Sequence, residues 1–214
     1  MRRYFLILCG LLALGTDAVA QNSYDLSILR SWEHNETTGD LNKDGIDDLV
    51  VIATPANEAN MKVREDGYVY NFNQPVLAIY WGDGNGGYRL WKGYDDVIPP
   101  RQDEAMSVYC GAKITNRHTL VFSVEYFATM GGWDTPNYTY VFRYQDGDFC
   151  LIGEEETHTS RLSGELETDS YNYLTNKKLR TTGNVFDEKA KSTQRWSKIP
   201  KSPLKRLGAW QLGE

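Results

Sequence analysis

Oxygen-bearing side chains recur at alternate positions in one short stretch near the start of the chain. They occupy the first, third, fifth and ninth places of residues 40–48, as Asp40, Asn42, Asp44 and Asp48. Gly45 stands at the sixth place, where such a loop turns sharply. Calcium is a hard cation that takes roughly six to eight oxygen ligands, and alternate residues of a tight loop can point their oxygens inward. The spacing predicts a calcium site, to which Ile46 at the seventh place would contribute its backbone carbonyl.

The residues after the loop indicate which class of calcium site it resembles. A helix–loop–helix calcium site needs a Glu at the twelfth place, and that place is Val51. Residues 49–53 are Leu-Val-Val-Ile-Ala, an apolar and mostly β-branched run that is typical of a buried strand. The loop is therefore expected to lead into a strand. The alternative is an Asp- and Asn-rich turn that binds nothing, because these residues also favour turns for conformational reasons.

A loop of this kind followed by a strand resembles the calcium loop of the FG-GAP/VCBS repeat family, which builds integrin-type β-propellers. The resemblance continues in residues 77–90, where a strand-like run, a glycine-rich turn and an aromatic-containing run follow one another. It covers about residues 39–90, and it implies calcium binding at five loop positions. These are Asp40, Asn42, Asp44, the carbonyl of Ile46, and Asp48. Asp47 lies off the pattern and is expected at the surface or behind the ligands.

Strand patterns dominate the rest of the chain, and no long amphipathic helix is predicted. Apolar or alternating runs bounded by turn signals lie at residues 75–81, 106–114, 119–127, 138–144, 149–152, 164–174 and 178–185. This spacing predicts an all-β fold, an antiparallel meander that is propeller-blade-like or a twisted sandwich. A full many-bladed propeller is not expected, because one calcium loop and no repeat period are visible.

The N-terminus predicts export. Arg2 and Arg3 precede an apolar stretch that is too short to span a membrane, and small residues follow at 18–20. Residues 1–20 are therefore expected to be a cleaved signal peptide, and the protein to be periplasmic or secreted. No later stretch predicts a transmembrane segment. The net charge of −6 argues against nucleic-acid binding, which requires a basic face.

Two cysteines, Cys110 and Cys150, remain after the predicted cleavage. An even pair in an oxidising compartment predicts a disulfide between them. The alternative is two separate buried thiols.

No motif predicts catalysis. Residues 82–87 have the glycine spacing of a dinucleotide-binding loop, but a strand-like run follows where that loop needs a helix. The glycines are therefore expected to form a hairpin turn. The histidines complete no known metal or catalytic motif; they are His34, His118 and His158.

A longer connection at residues 128–137 is a candidate ligand loop. Met130 and Trp133 beside paired glycines could form an exposed surface for a sugar or peptide. The alternative is that Trp133 folds back to cover the end of the sheet.

The expected layout is a lead-in at 21–38, a β domain at 39–186 and a basic segment at 187–214 that packs on the domain. Residues 189–206 contain seven Lys or Arg and no acid. This segment could meet an anionic partner. The alternative is a solvated tail that is held to the core by apolar residues, namely Trp196, Ile199, Leu204, Leu207 and Trp210.

Two functions are compatible with these features. The first is an exported, non-enzymatic calcium-binding β module with a binding or interaction role and an unknown protein or glycan partner. The second is an envelope carbohydrate-active hydrolase, and an inhibitor or partner of an envelope enzyme is a further alternative. Two carboxylates facing each other across a cleft away from the calcium loop would favour the hydrolase.

Overall fold

The computed structural model describes residues 24–128, 134–187 and 191–213. Most of these residues lie in two antiparallel sheets. The expected all-β class is therefore confirmed, and so is the antiparallel meander. The predicted signal peptide at 1–20 and the ligand-loop residues Met130 and Trp133 lie outside the described residues. Within those residues, no helix combines the length and the apolar character that a membrane span requires.

The first sheet has four strands in the order β1-β2-β5-β6. These are β1 (Glu33–Gly39), β2 (Asp48–Thr54), β5 (Val76–Gly82) and β6 (Tyr88–Tyr94). A short helix, α1 (Leu26–Leu29), precedes them. Between β2 and β5 the chain makes a 3-10 turn and a two-stranded hairpin, β3 (Met61–Val63) with β4 (Val69–Asn71).

The second sheet is a seven-stranded meander, in which every strand pairs with its neighbours in sequence. The strands are β7 (Met106–Ile114), β8 (Thr119–Ala128), β9 (Asp134–Gln145), β10 (Asp148–Ser160), β11 (Glu165–Asn172), β12 (Lys177–Asn184) and β13 (Thr193–Lys198). Strand β10 is much longer than its apolar run predicts. Its polar half continues because β9 and β11 pair with it on both sides.

Strand β2 is buried on both faces. Leu49, Val51 and Ala53 pack with Leu29 of α1, whereas Val50 and Ile52 face the second sheet. A strand covered on both faces reads as a continuous apolar run, which explains the unbroken sequence at 49–53.

The main core lies between the two sheets. Val50 and Ile79 of the first sheet share it with Phe122 and Phe142 of the second. The arrangement is a sandwich whose four-stranded layer is blade-like. At one edge the two layers are joined directly, since the Asn35 side-chain amide donates to the Cys110 carbonyl (3.3 Å).

The C-terminal segment covers one end of this core. Leu207 and Leu212 are buried, and Trp210 packs edge-on against Tyr140. The expectation that Trp196 also packs on the core is wrong: it is 64% exposed on β13. The reason is that β13 lies at the far edge of the second sheet, three strands beyond β10.

The predicted disulfide is not formed. Cys110 and Cys150 are both buried free thiols. Cys110 is on β7 and Cys150 on β10, with β8 and β9 between them. Three strand spacings amount to about 14 Å, whereas a disulfide needs Cα atoms roughly 4.4–6.8 Å apart. The sheet order therefore separates the two sulfurs.

Candidate metal centre

Residues 40–48 form the loop that joins β1 to β2. The chain reverses in its middle, where Lys43 and Gly45 both take positive φ angles of 69° and 82°. The left-handed conformation favours glycine, so the glycine at the sixth place has the conformational role that the spacing predicts.

Asp48 anchors the end of the loop. Its side chain is fully buried, with 0% exposure. Its Oδ2 accepts from the Leu41 N–H (2.8 Å) and its Oδ1 from the Gly82 N–H (3.1 Å). Burial raises the pKa of this carboxyl group, and the two N–H donors oppose that rise. The carboxylate thus ties both ends of the loop to β5, a role that the sequence does not reveal.

The other oxygen-bearing side chains bond to N–H groups within the loop. Asp40 accepts from the N–H groups of Lys43 (2.6 Å) and Gly45 (3.1 Å). Asn42 Oδ1 accepts from the Asp44 N–H (2.9 Å), and Asp44 Oδ1 from the Ile46 N–H (2.8 Å). These bonds span two to five residues, so they are local and help to hold the turn.

Within the three described segments, no group of three or more His, Cys, Asp or Glu side chains could hold a metal ion. The carboxylates of Asp40, Asp44 and Asp48 are directed instead at the N–H groups just named. The structure thus brings the predicted donors into one loop without arranging them as a finished coordination site.

The donor chemistry nevertheless fits calcium. Every predicted ligand atom is a hard oxygen, the type that calcium selects. An ionised carboxylate has about four lone-pair sites, so an oxygen that accepts one N–H can still bind a cation. Asp44 is exposed and Asp40 and Asn42 are partly exposed, which leaves the outer side of the loop open to an ion.

His118 is a neighbour of the loop that the sequence pattern does not reveal. It lies in the turn between β7 and β8, and its Nδ1 is 2.8 Å from the Asp40 carbonyl oxygen and 3.4 Å from Asp40 Oδ2. Because 78 residues separate the two, no local pattern could have paired them. His118 connects the second sheet to the start of the loop.

The glycine-rich turn at 82–87 supports the loop from the other side. It is the predicted hairpin turn between β5 and β6, with positive φ at Gly84 (75°) and Gly86 (86°). A Cβ atom at Gly82 would lie 2.3 Å from the Asp47 carbonyl oxygen and 2.7 Å from Ile46 Cγ2. Only a glycine allows β5 to approach the loop this closely.

A four-stranded antiparallel sheet whose first two strands are joined by an acidic loop is a propeller-blade-like unit. Comparison with protein families supports this assignment: residues 36–72 match the FG-GAP repeat, from within β1 to just beyond β4. The resemblance inferred from the loop is confirmed, although the matched residues end before the 77–90 part of it. An FG-GAP repeat suggests a β-propeller-like interaction module. Comparison with curated proteins and with solved structures gave no match.

Proposed function

We propose that this protein is an exported, non-enzymatic interaction module whose loop at 40–48 binds one calcium ion. The observation that carries the proposal is the set of alternating oxygen donors on a single loop, closed at its base by the buried carboxylate of Asp48. The FG-GAP match over residues 36–72 supports it.

The residues proposed to hold the ion are the five that the loop sequence predicts: Asp40, Asn42, Asp44, the carbonyl of Ile46, and Asp48. The ion would supply positive charge among three carboxylates that otherwise repel one another. The chain's own contribution is orientation. The Leu41 and Gly82 N–H groups fix Asp48, and His118 holds the backbone of Asp40.

The role proposed for calcium is structural. The loop lies where β1, β5 and the turn before β8 meet, so an ion there would join the two layers of the sandwich. Extracellular calcium modules have dissociation constants of roughly 10⁻⁴–10⁻³ M. At about 10 mM free calcium, this affinity corresponds to about 1.4–2.7 kcal/mol of added stability.

Thermal unfolding in calcium and in EDTA tests this proposal. Calcium should raise the Tm by about 3–10 °C, as expected for a domain of this size. Asp44→Ala should abolish the rise. Asp47→Ala is the matched control, because it removes an exposed carboxylate from the same loop but outside the donor pattern, and it should retain the rise. Identical unfolding curves in calcium and in EDTA would refute calcium binding.

Export has a separate test. The N-terminal sequence of the protein recovered from outside the cytoplasm should begin at Gln21. Recovery of the chain with residues 1–20 intact and only in the cytoplasm would contradict export, whatever the result with calcium.

The hydrolase alternative gains no support from the cleft beside β1 and β7. A cleft of about 480 Å³ lies between β1, β7 and the β3–β4 hairpin. Among the described residues that line it, Glu33 is the one carboxylate. Because glycoside hydrolysis commonly uses a pair of carboxyl groups, we do not propose catalysis there.

A further inference from the structure

The last strand of the second sheet, β13, is unusual in its exposure. All of its six residues are exposed, and in the described part of the chain it pairs only with β12. Trp196 in its centre has 64% of its surface exposed. An exposed strand edge of this kind is a template for pairing with another chain.

The backbone of β13 has free hydrogen-bonding positions along its outer side. The Ile199 N–H donates to the Asn176 carbonyl (3.0 Å), in register with the β12–β13 pairs. Because inward and outward N–H groups alternate along an antiparallel strand, those of Arg195 and Ser197 face β12. Those of Gln194, Trp196 and Lys198 face the open edge.

The side chains at this edge are basic. Arg195 and Lys198 lie on β13, and Lys177 lies opposite Lys198 on β12. These three side chains place positive charge at the β13 edge of a chain whose net charge is −6.

We propose that β13 binds an extended acidic segment of a partner protein, which adds to the sheet as an eighth strand. Backbone hydrogen bonds would supply affinity, and side-chain contacts would supply specificity. Trp196 and Lys198 lie on the same face of the strand. Together with Lys177 and Ser197 they border a hollow of about 490 Å³. An apolar residue of the partner fits beside Trp196, and acidic residues fit beside Lys198 and Arg195.

Charge favours such a partner over a second copy of this chain. Two antiparallel β13 strands would bring the basic residues of both copies to one seam, where like charges repel. An acidic segment would instead neutralise that edge. Residues 40–48 take no part in this binding, so its test does not depend on calcium.

Hydrogen–deuterium exchange with a defined peptide tests the proposal. The probe is a blocked eight-residue peptide of Glu, Thr and Val, and its control has Lys in place of Glu. With the acidic peptide, exchange should slow at the amides of Gln194, Trp196 and Lys198. The amides of Arg195 and Ser197, which already face β12, should change little. The Lys peptide should protect none of them.

A pair of variants at Gln194 separates strand addition from general charge attraction, and two single variants test the aromatic contact and the independence from calcium. Gln194→Pro removes an N–H that faces outward and makes no bond to β12, and an edge strand tolerates proline at such a site. This variant should abolish the protection by the acidic peptide, whereas Gln194→Ala should preserve it. Trp196→Ala should weaken binding about tenfold. Asp44→Ala should leave binding unchanged. Binding measured with Asp44→Ala thus distinguishes failure of this proposal from failure of calcium binding.

Three results would overturn the proposal. One is that the acidic peptide at saturating concentration slows no amide exchange. The lysines and arginine would then serve to prevent unwanted pairing at an exposed edge. Another is equal protection by the Lys peptide. The third is protection that depends on protein concentration without any peptide, which would identify the occupant of the edge as a second copy.

Discussion

Oδ1 of Asp48 accepts a hydrogen bond from the N–H of Gly82 at 3.1 Å, although 34 residues separate the two along the chain. The same carboxylate accepts from Leu41, which is 1% exposed, at the start of the loop. One buried side chain thus holds the loop to β5. This gives Asp48 a structural role in addition to its proposed role as a ligand.

The two roles can be separated by mutation. In EDTA, Asp48→Ala should lower the free energy of unfolding by about 2–4 kcal/mol, because it leaves two N–H groups without their acceptor. Asp44→Ala should change it by less than about 0.5 kcal/mol under the same conditions, because Asp44 is exposed and water can replace it. Urea unfolding measures both. Equal losses would show that Asp48 is not a special anchor.

Gly82 should resist substitution more strongly than Gly86 in the same turn. Gly82→Ala places a Cβ 2.3 Å from the Asp47 carbonyl, and should cost about 2–3 kcal/mol as β5 and the loop move apart. Gly86→Ala is the control, since nothing lies within 4 Å of its Cβ position. Its positive φ should cost only about 1 kcal/mol. A smaller loss at Gly82 than at Gly86 in thermal unfolding would contradict this packing.

The outer strands contain an acid whose charge should affect stability at low pH. Asp169 on β11 is 7% exposed and bonds to Arg180 (2.8 Å) and Lys178 (2.8 Å). Arg180, aided by Lys178 and opposed by burial, holds the pKa of Asp169 below its ordinary value of 3.8. A depressed pKa in the folded state contributes stability above the unfolded pKa, and that stability is lost as pH falls through the folded value.

Asp169→Asn should therefore cost about 2 kcal/mol at neutral pH and less as the pH falls below about 4. Glu167→Gln is its control, because Glu167 meets Arg180 at 3.2 Å with both side chains 44% exposed. An exposed pair of this kind contributes roughly 0–1 kcal/mol. Urea unfolding at several pH values would contradict the prediction if both variants gave the same profile.

The cysteines should behave as buried thiols. Burial raises the pKa of Cys110 to about 12, so little thiolate exists at neutral pH and modification of the native protein should be slow. Both thiols should react rapidly once the chain unfolds, and a reductant should leave the Tm unchanged. Mass spectrometry after alkylation without reductant measures this directly. A mass that shows a disulfide would contradict the separation of β7 from β10.

Local features were predictable from the sequence because their bonds connect near neighbours. The loop bonds of Asp40, Asn42 and Asp44 span only a few residues. The hairpin turn at 82–87 needs positive φ, which glycine supplies. In the same way, a continuous apolar run predicted a strand at 49–53, and β2 (Asp48–Thr54) contains it.

Other features depend on contacts between distant segments. The sequence of β10 beyond residue 152 has no apolar alternation, and only its two neighbouring strands make it extended. The order of strands separated Cys110 from Cys150 and left Trp196 on an open edge, and it brought His118 to Asp40. None of these relationships leaves a signal within a short window of residues.

By itself the sequence determined the acidic loop, the strand that follows it and the all-β class, because short-range hydrogen bonds and hydrophobic pattern specify them. Only the tertiary structure decided that Asp48 is buried as an anchor and that a basic, aromatic edge faces solvent. The physical reason is that burial and strand pairing depend on which segments meet across the sheets. These contacts form cooperatively across the core, between residues that lie far apart in the chain.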